Sequence, residues 1–429
     1  MKPQNFEEKV IWYYITGTYL LYFLGAQFVA APLVAWVMVL YLGKKLWEQT
    51  EQTPPDEKIV IPLGIWIWIV GMAVVGIALI GGHIGFGYGL TRIIKSFINF
   101  FMRTWALLAL FPLIGCLKIR PQLLYRAACI LGLQTLIMVP IGYLLGNIGV
   151  AMPLYVNSLL AKVGGIGARY YAVSLYVLEE GSPRLTLIAP WAPALAFAAC
   201  IHFFLASQDS DWRWRWLAMV GSAAAVWGSG SRLGLVCLIS LPIIKFVLVN
   251  VSRPIMQIAG GLAIFLAGLF GAQLLILARD FKDYFDSQRA ASSRVRGVLA
   301  DLALYKWQTD APIWGHALKS SQGPEVAAGM PIGSHHTWFG VLYLHGIVGF
   351  VGLVVPMLYS FISLAIKAQR SKIAQTGLAI LLVMLMFSMG ENLEGLAYLY
   401  WPGLVMLGIA LKERVTFSFP SSTFQAPIE

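Results

Sequence analysis

Charge is what this chain of 429 residues has least of: only 12% are Asp, Glu, Lys or Arg, where soluble domains carry about 25%. With 59% hydrophobic residues, that scarcity excludes an ordinary soluble protein and points to a polytopic membrane protein. Cysteine is nearly absent too. Cys116, Cys129, Cys200 and Cys237 lie in or beside apolar runs with no paired spacing, which excludes a disulfide framework and a thiolate metal site. They are expected as small buried apolar side chains. No repeat or low-complexity segment stands out, and the only sizeable soluble stretches are 146–184 and 279–335. The tail after Lys412 is expected to be disordered. Glu7 and Glu8 stand where a cleaved signal peptide is positive, so the N-terminus is expected to stay attached.

What the chain does have is long apolar runs. A helix needs roughly 20 apolar residues to cross about 30 Å of hydrocarbon. The run Val10 to Leu46 is too long for one span and is expected to turn near Ala30-Ala31-Pro32. Further spans are expected at Val60–Ile80, Phe97–Leu117, Ala127–Leu145, Leu185–Ala206, Trp216–Gly230, Leu233–Val251, Ile255–Leu277, Trp338–Ile366, Thr376–Met389 and Leu396–Leu411. The fold expected is therefore all-α, with about twelve transmembrane helices. Residues 1–278 hold the first nine spans with a smaller outer segment at 146–184. Residues 279–335 form one large outer loop with short helices, and 336–429 the last three spans and a cytoplasmic tail.

Orientation follows from the basic residues. With the N-terminus inside, the inner segments carry seventeen of the 31 Lys and Arg, from Lys2 and Lys9 to Lys412 and Arg414. The positive-inside rule therefore favours cytoplasmic N- and C-termini. Trp212-Arg213-Trp214-Arg215-Trp216 fits the interfacial belt, and this is preferred to a nucleic-acid role.

Fourteen basic residues remain outside or within the membrane, among them Lys162, Arg169, Arg184, Arg232, Arg279, Arg289, Arg294, Arg296 and Lys306. Some of them only solvate a loop. Arg232, in Gly228-Ser229-Gly230-Ser231-Arg232-Leu233-Gly234 between two apolar spans, needs an anionic ligand or a carboxylate. Glu391 in the outer turn between the last two spans is the expected structural partner. Outer arginines suit an anionic headgroup arriving from the lipid, because the guanidinium fork matches phosphate oxygens.

Carboxylates offer less. Asp209-Ser210-Asp211 has the spacing of a metal-holding pair but falls on the inner side, and Asp280, Asp283 and Asp286 read as a solvated helix face. Metal-independent, cofactor-free chemistry is expected. His335 and His336 open the helix that begins near Trp338, and histidine is the natural proton acceptor near neutral pH. The bland alternative is a pair of helix-start residues bonded to backbone or water. His83, His202, His316 and His345 are expected to be structural.

Ser334-His335-His336-Thr337-Trp338-Phe339, leading to Gly346-Ile347-Val348-Gly349, resembles the signature of the O-antigen ligase and polymerase superfamily. There a histidine, usually followed by asparagine, opens a helix with a glycine eleven residues later. His335 takes the histidine position, and His336 stands where asparagine is usual. Arg294-Val295-Arg296 followed by Asp310-Ala311-Pro312-Ile313-Trp314-Gly315 resembles the family's arginine, helix and "hPllG" segment. Ser231-Arg232-Leu233-Gly234 resembles its Ser-Arg-Gly stretch, with leucine in the glycine position. Arg184-Leu185-Thr186 resembles the arginine before its Asn-containing turn, although the asparagine is absent.

The resemblance covers about residues 180–350. It implies a membrane glycosyltransferase at the periplasmic face of a bacterial inner membrane, taking a glycan from undecaprenyl pyrophosphate. Ligation to the lipid A core oligosaccharide is the favoured expectation. A polymerase or a protein O-oligosaccharyltransferase of the same superfamily is the alternative, and an anionic-lipid transporter is the rival from another class. By this reading His335, with His336, is the base; Arg184, Arg232, Arg294 and Arg296 hold the pyrophosphate; Trp338 and Glu391 support them.

Overall fold

The computed structural model describes residues 1–54, 57–164, 167–179, 181–287, 290–319, 323–325 and 329–415. Arg289, the side chain of Asp286 and the tail from residue 416 lie outside the described residues. The chain is mostly helical. Among the described residues six helices are long and apolar enough to cross a bilayer: Gln27–Glu48, Leu63–Gly85, Pro121–Ile148, Arg232–Asn250, Thr337–Lys367 and Leu393–Lys412. Two bent pairs, Leu90–Trp105 with Leu107–Ile114 and Pro254–Leu269 with Gly271–Leu277, make eight if each is one span. The apolar helices Ala192–Ala206 and Lys372–Phe387 are shorter. At 15 residues the first of these rises about 22 Å, so length and composition alone do not reach the expected count of about twelve.

Three expectations are corrected. The fold is not strictly all-α, because two small antiparallel hairpins, Tyr155–Val156 with Ala172–Val173 and Tyr176–Glu179 with Ser182–Leu185, fill the segment after Ile148. The first apolar run turns at Gly25 rather than at Pro32. Gly25 has φ +64, which glycine adopts without penalty, whereas Pro32 sits in the second turn of its helix and removes only one backbone bond there. Third, the described helices of the 279–335 segment are longer than expected: residues 279–287 continue the helix Gly271–Ser287, and Ala290–Asp310 spans 21 residues.

The last helix, Leu393–Lys412, is the axis of the bundle, with nearly every residue buried. Lys412 reaches the carbonyl of Leu117 (2.8 Å), Arg120 pairs with Glu8 (2.6 Å), and Gln369 donates to Leu248 O (2.6 Å). These contacts gather the N-terminus, several connecting loops and the end of the last helix at one end of the molecule. All four cysteines are buried and unpaired.

The long Thr337–Lys367 helix is broken at Gly346 (φ +60, ψ −163). The segment 312–317 fills the break: His316 N and Ala317 N donate to Tyr343 O and Leu344 O (both 2.8 Å), and Ile347 N donates to Pro312 O (2.9 Å). Backbone groups freed at membrane depth must find such partners. A Cβ on Gly346 would lie 2.2 Å from Ile313 O, and one on Gly315 would lie 2.4 Å from His345 N. The two glycines therefore permit the backbones to interlock, and the interlock fixes the approach of the preceding Ala290–Asp310 helix. That helix docks through Val295, Leu299 and Ala303 against Tyr343, Leu344 and Phe339.

Candidate functional site

Four pieces of chain distant in sequence meet at the end of the bundle opposite the N-terminus. The first is the hairpin carrying Arg184, which lies on helices made thin by glycine. A Cβ on Gly228 would meet Leu185 at 2.5 Å and one on Gly146 would meet Pro183 at 2.6 Å, so only glycine admits the hairpin. Arg184 Nε donates to Ser229 O (2.8 Å), its Nη1 pairs with Glu179, and its Nη2 is buried with no hydrogen-bond partner among the described residues.

The second piece is the turn Ser229-Gly230-Ser231. Ser231 caps the next helix by accepting from Gly234 N (3.3 Å), which makes Arg232 the first helical residue. Serine is among the preferred residues for that cap. The third is the Ala290–Asp310 helix with Arg296, and the fourth is the turn 388–392. Arg184, Arg232, Arg296 and Glu391 together line one cavity of about 220 Å³.

Glu391 is only 3% exposed. Burial pushes its carboxyl up to about 7, against the opposing pull of Arg296 and of Trp191, whose Nε1 donates to it at 2.9 Å. Glu391 shares the cavity with Arg232, but its ion-pair contact, at 4.0 Å, is with Arg296. Arg294 is exposed and does not line the cavity. Two residues apart on a helix means about 200° of rotation, so only one of Arg294 and Arg296 can face inward.

The start of the Thr337–Lys367 helix is clamped to the 388–392 turn. Thr337 N donates to Ser388 O (2.9 Å), Thr337 Oγ1 to Glu391 O (2.7 Å) and Trp338 Nε1 to Ser388 Oγ (2.9 Å). Asn392 Nδ2 reaches Gly333 O (3.2 Å). Trp338 thus holds the site without lining the arginine cavity.

The two histidines separate. His336 caps the helix, its Nδ1 accepting from Phe339 N (3.4 Å), and its ring stacks on Phe339 with centroids 4.0 Å apart. His335 has φ +63, a conformation that costs a non-glycine residue of order 1–3 kcal/mol and clusters at functional sites. Its pKa is lowered to about 4, first by burial and then by Arg296, Lys319 and Arg169. His336 is also lowered to about 4, by burial and then Arg296. Both imidazoles are therefore neutral at pH 7. Only His335 has cations from three separate segments around it.

Of the residues expected at the site, Arg184, Arg232, Arg296 and Glu391 line one cavity; His335 does not line it but feels the charge of Arg296, Trp338 braces the adjoining turn, and Arg294 stands aside. Sequence reasoning gave Thr337, inside the histidine motif, and Trp191 no role of their own, missed Asn392 and Lys319, and underrated Arg169. Their only signal was proximity to motif residues. Asp209 lies at the opposite end, held by Arg126 (2.7 Å) and accepting from Asp211 N (2.8 Å). Asp280 and Asp283 are exposed. Among the described residues no three His, Cys, Asp or Glu side chains gather as a metal site requires. His316 stacks on Tyr343 (4.3 Å) and His83 Nδ1 bonds Leu79 O (2.8 Å). No protein-family model matches the chain, and no curated protein matches it.

Proposed function

We propose that this protein is an O-antigen ligase, a membrane glycosyltransferase that moves glycan from undecaprenyl pyrophosphate to the lipid A core oligosaccharide. It would work at the periplasmic face of a bacterial inner membrane. In this reading the chain crosses about twelve times, the shorter helices included, and both termini are cytoplasmic. The observation that carries the proposal is the cavity in which Arg184, Arg232 and Arg296 converge from three distant segments; Arg296 also acts electrostatically on the neutral His335. The unsatisfied Arg184 Nη2 supplies a donor for one phosphate oxygen.

The step is a displacement with inversion. The acceptor hydroxyl oxygen bonds to the anomeric carbon and its proton passes to His335. The bond from that carbon to the pyrophosphate oxygen breaks, and the electron pair leaves on undecaprenyl pyrophosphate. The arginines stabilise the charge that grows there, so neither a metal nor a cofactor is needed. Charge stabilisation of this kind works best when donors are held before the reaction begins, and the clamp from Thr337 to the 388–392 turn does that holding.

The test is ligation by purified protein in lipid nanodiscs, with lipid-linked glycan, core acceptor and chelator. Wild type should ligate and His335→Ala should lose about 10²- to 10⁴-fold in rate. Loss of wild-type activity on chelation would overturn the metal-free step, and full activity in His335→Ala would remove the base. Translocation of the lipid-linked glycan without any new linkage would make the protein a transporter.

A further inference from the structure

A second cavity of about 350 Å³ lies on the other side of the 391–394 turn, within the range of roughly 300–1,000 Å³ usual for ligand pockets. Its walls include Phe100, Trp105 and Tyr170, and its polar side chains include Thr104, Lys319, His345 and Glu394. Glu394 is 6% exposed and His345 2%, yet Glu394 Oε2 and His345 Nδ1 have no hydrogen-bond partner among the described residues. The other carboxyl oxygen, Oε1, accepts from Asn392 (3.1 Å) and lies 4.0 Å from Lys319. Two buried, unpartnered polar atoms in one aromatic-walled cavity are costly unless something bonds to them.

The chemistry selects the ligand. An anion would be repelled by the buried carboxylate, and a divalent cation lacks a second carboxylate and meets a lysine. Lys319 already balances Glu394, so a free cation gains little. A neutral, hydroxyl-rich ring satisfies every group: its hydroxyls donate to Glu394 Oε2, bond His345 Nδ1 and accept from Lys319, while its polarised C–H face rests on aromatic faces. We infer that this second cavity binds a saccharide ring, and, resting on the ligase reading above, that the ring belongs to the acceptor.

The placement agrees. Asn392 joins the two sides, bonding Gly333 O next to the histidine loop and Glu394 Oε1 in the cavity.

The experiment is calorimetric titration of the whole protein in nanodiscs with deacylated core oligosaccharide and, separately, with undecaprenyl pyrophosphate. Two variants are compared with wild type. Glu394→Gln removes the charged acceptor. Gly395→Leu fills the space, since a Cβ there meets only Tyr170 OH at 3.7 Å. Both should weaken oligosaccharide binding at least about tenfold, the loss of one hydrogen bond to a charged group, and leave undecaprenyl pyrophosphate binding unchanged. Oligosaccharide affinity unchanged in either variant, equal weakening of both ligands, or no oligosaccharide binding by wild type would overturn the inference. Selective loss of oligosaccharide binding by variants of a protein that never ligates would retain the saccharide site and discard the ligase.

Discussion

Glu391 is a buried carboxyl in the arginine cavity, and under the proposed function its titration should control donor affinity. Burial holds it at about 7, and it contacts Arg296, one of the groups proposed to hold the pyrophosphate. An ionised Glu391 competes for that guanidinium and repels the phosphates, so the donor binds best when Glu391 is protonated. The sign follows directly: a proton held on binding means that affinity falls as pH rises through 7. If binding requires the protonated form, the competent fraction drops from about 0.9 at about pH 6 to about 0.1 at about pH 8, and Kd rises about tenfold, or about 1.4 kcal/mol.

A glycosylated pyrophosphate is a diester whose own charge is constant over this interval, and His335, at about 4, does not titrate there. The assay is equilibrium binding of undecaprenyl-pyrophosphate-linked glycan to protein in nanodiscs across that pH range. Glu391→Gln keeps an acceptor for the Trp191 indole and removes the charge. It should bind the donor at high pH as tightly as wild type does at low pH, with a flat profile. A flat wild-type profile, or an unchanged slope in the glutamine variant, would refute the reasoning.

Arg296→Ala should raise donor Kd about ten- to hundredfold, as loss of a hydrogen bond between charged groups does, while Arg294→Ala should stay within about twofold because its side chain points away from the cavity; the same binding assay reads both. His336→Ala should keep most of the transfer rate but lose about 1 kcal/mol of stability with its helix cap, and His336→Asn should restore it, measured as thermal midpoint beside specific activity. Gly346→Ala should fail to give monodisperse protein on size-exclusion chromatography, because the new Cβ would stand 2.2 Å from Ile313 O at a φ that alanine disfavours.

The long apolar helices were legible because hydrocarbon thickness imposes one rule on every span, although six to eight of the described helices, not about twelve, meet that rule by length and composition. What resisted was local. The run Val10 to Leu46 contains an obvious breaker in Pro32, but the turn went to Gly25, where a positive φ was needed. The hairpins at 155–185 are short strands whose residues carry no long alternating pattern. Arg184, Arg232 and Arg296 were each visible as charges out of place, and their convergence was not, since it depends on glycines thinning two helices under a hairpin and on a loop plugging a broken helix. The polar atoms of the second cavity escaped because Glu394 and His345, read singly, are ordinary structural residues.

The histidine pair shows where sequence reasoning ends and backbone geometry takes over. Two adjacent imidazoles before an apolar helix are chemically equal on paper, and both are neutral at physiological pH. A helix start has one capping position, whose side chain turns back to the free backbone N–H groups, and His336 occupies it. That act consumes its acceptor nitrogen and lays its ring on Phe339. The residue before the cap is released from helical geometry, and here it takes a left-handed conformation that no hydrogen bond within the helix requires. The clamp from Thr337 and Trp338 to the 388–392 turn resists relaxation of that conformation, and the same turn presents Glu391 to the arginines. One short junction therefore sets the conformation of the proposed base, its protonation and the position of Glu391 in the arginine cavity, so moving any of the three should disturb the other two.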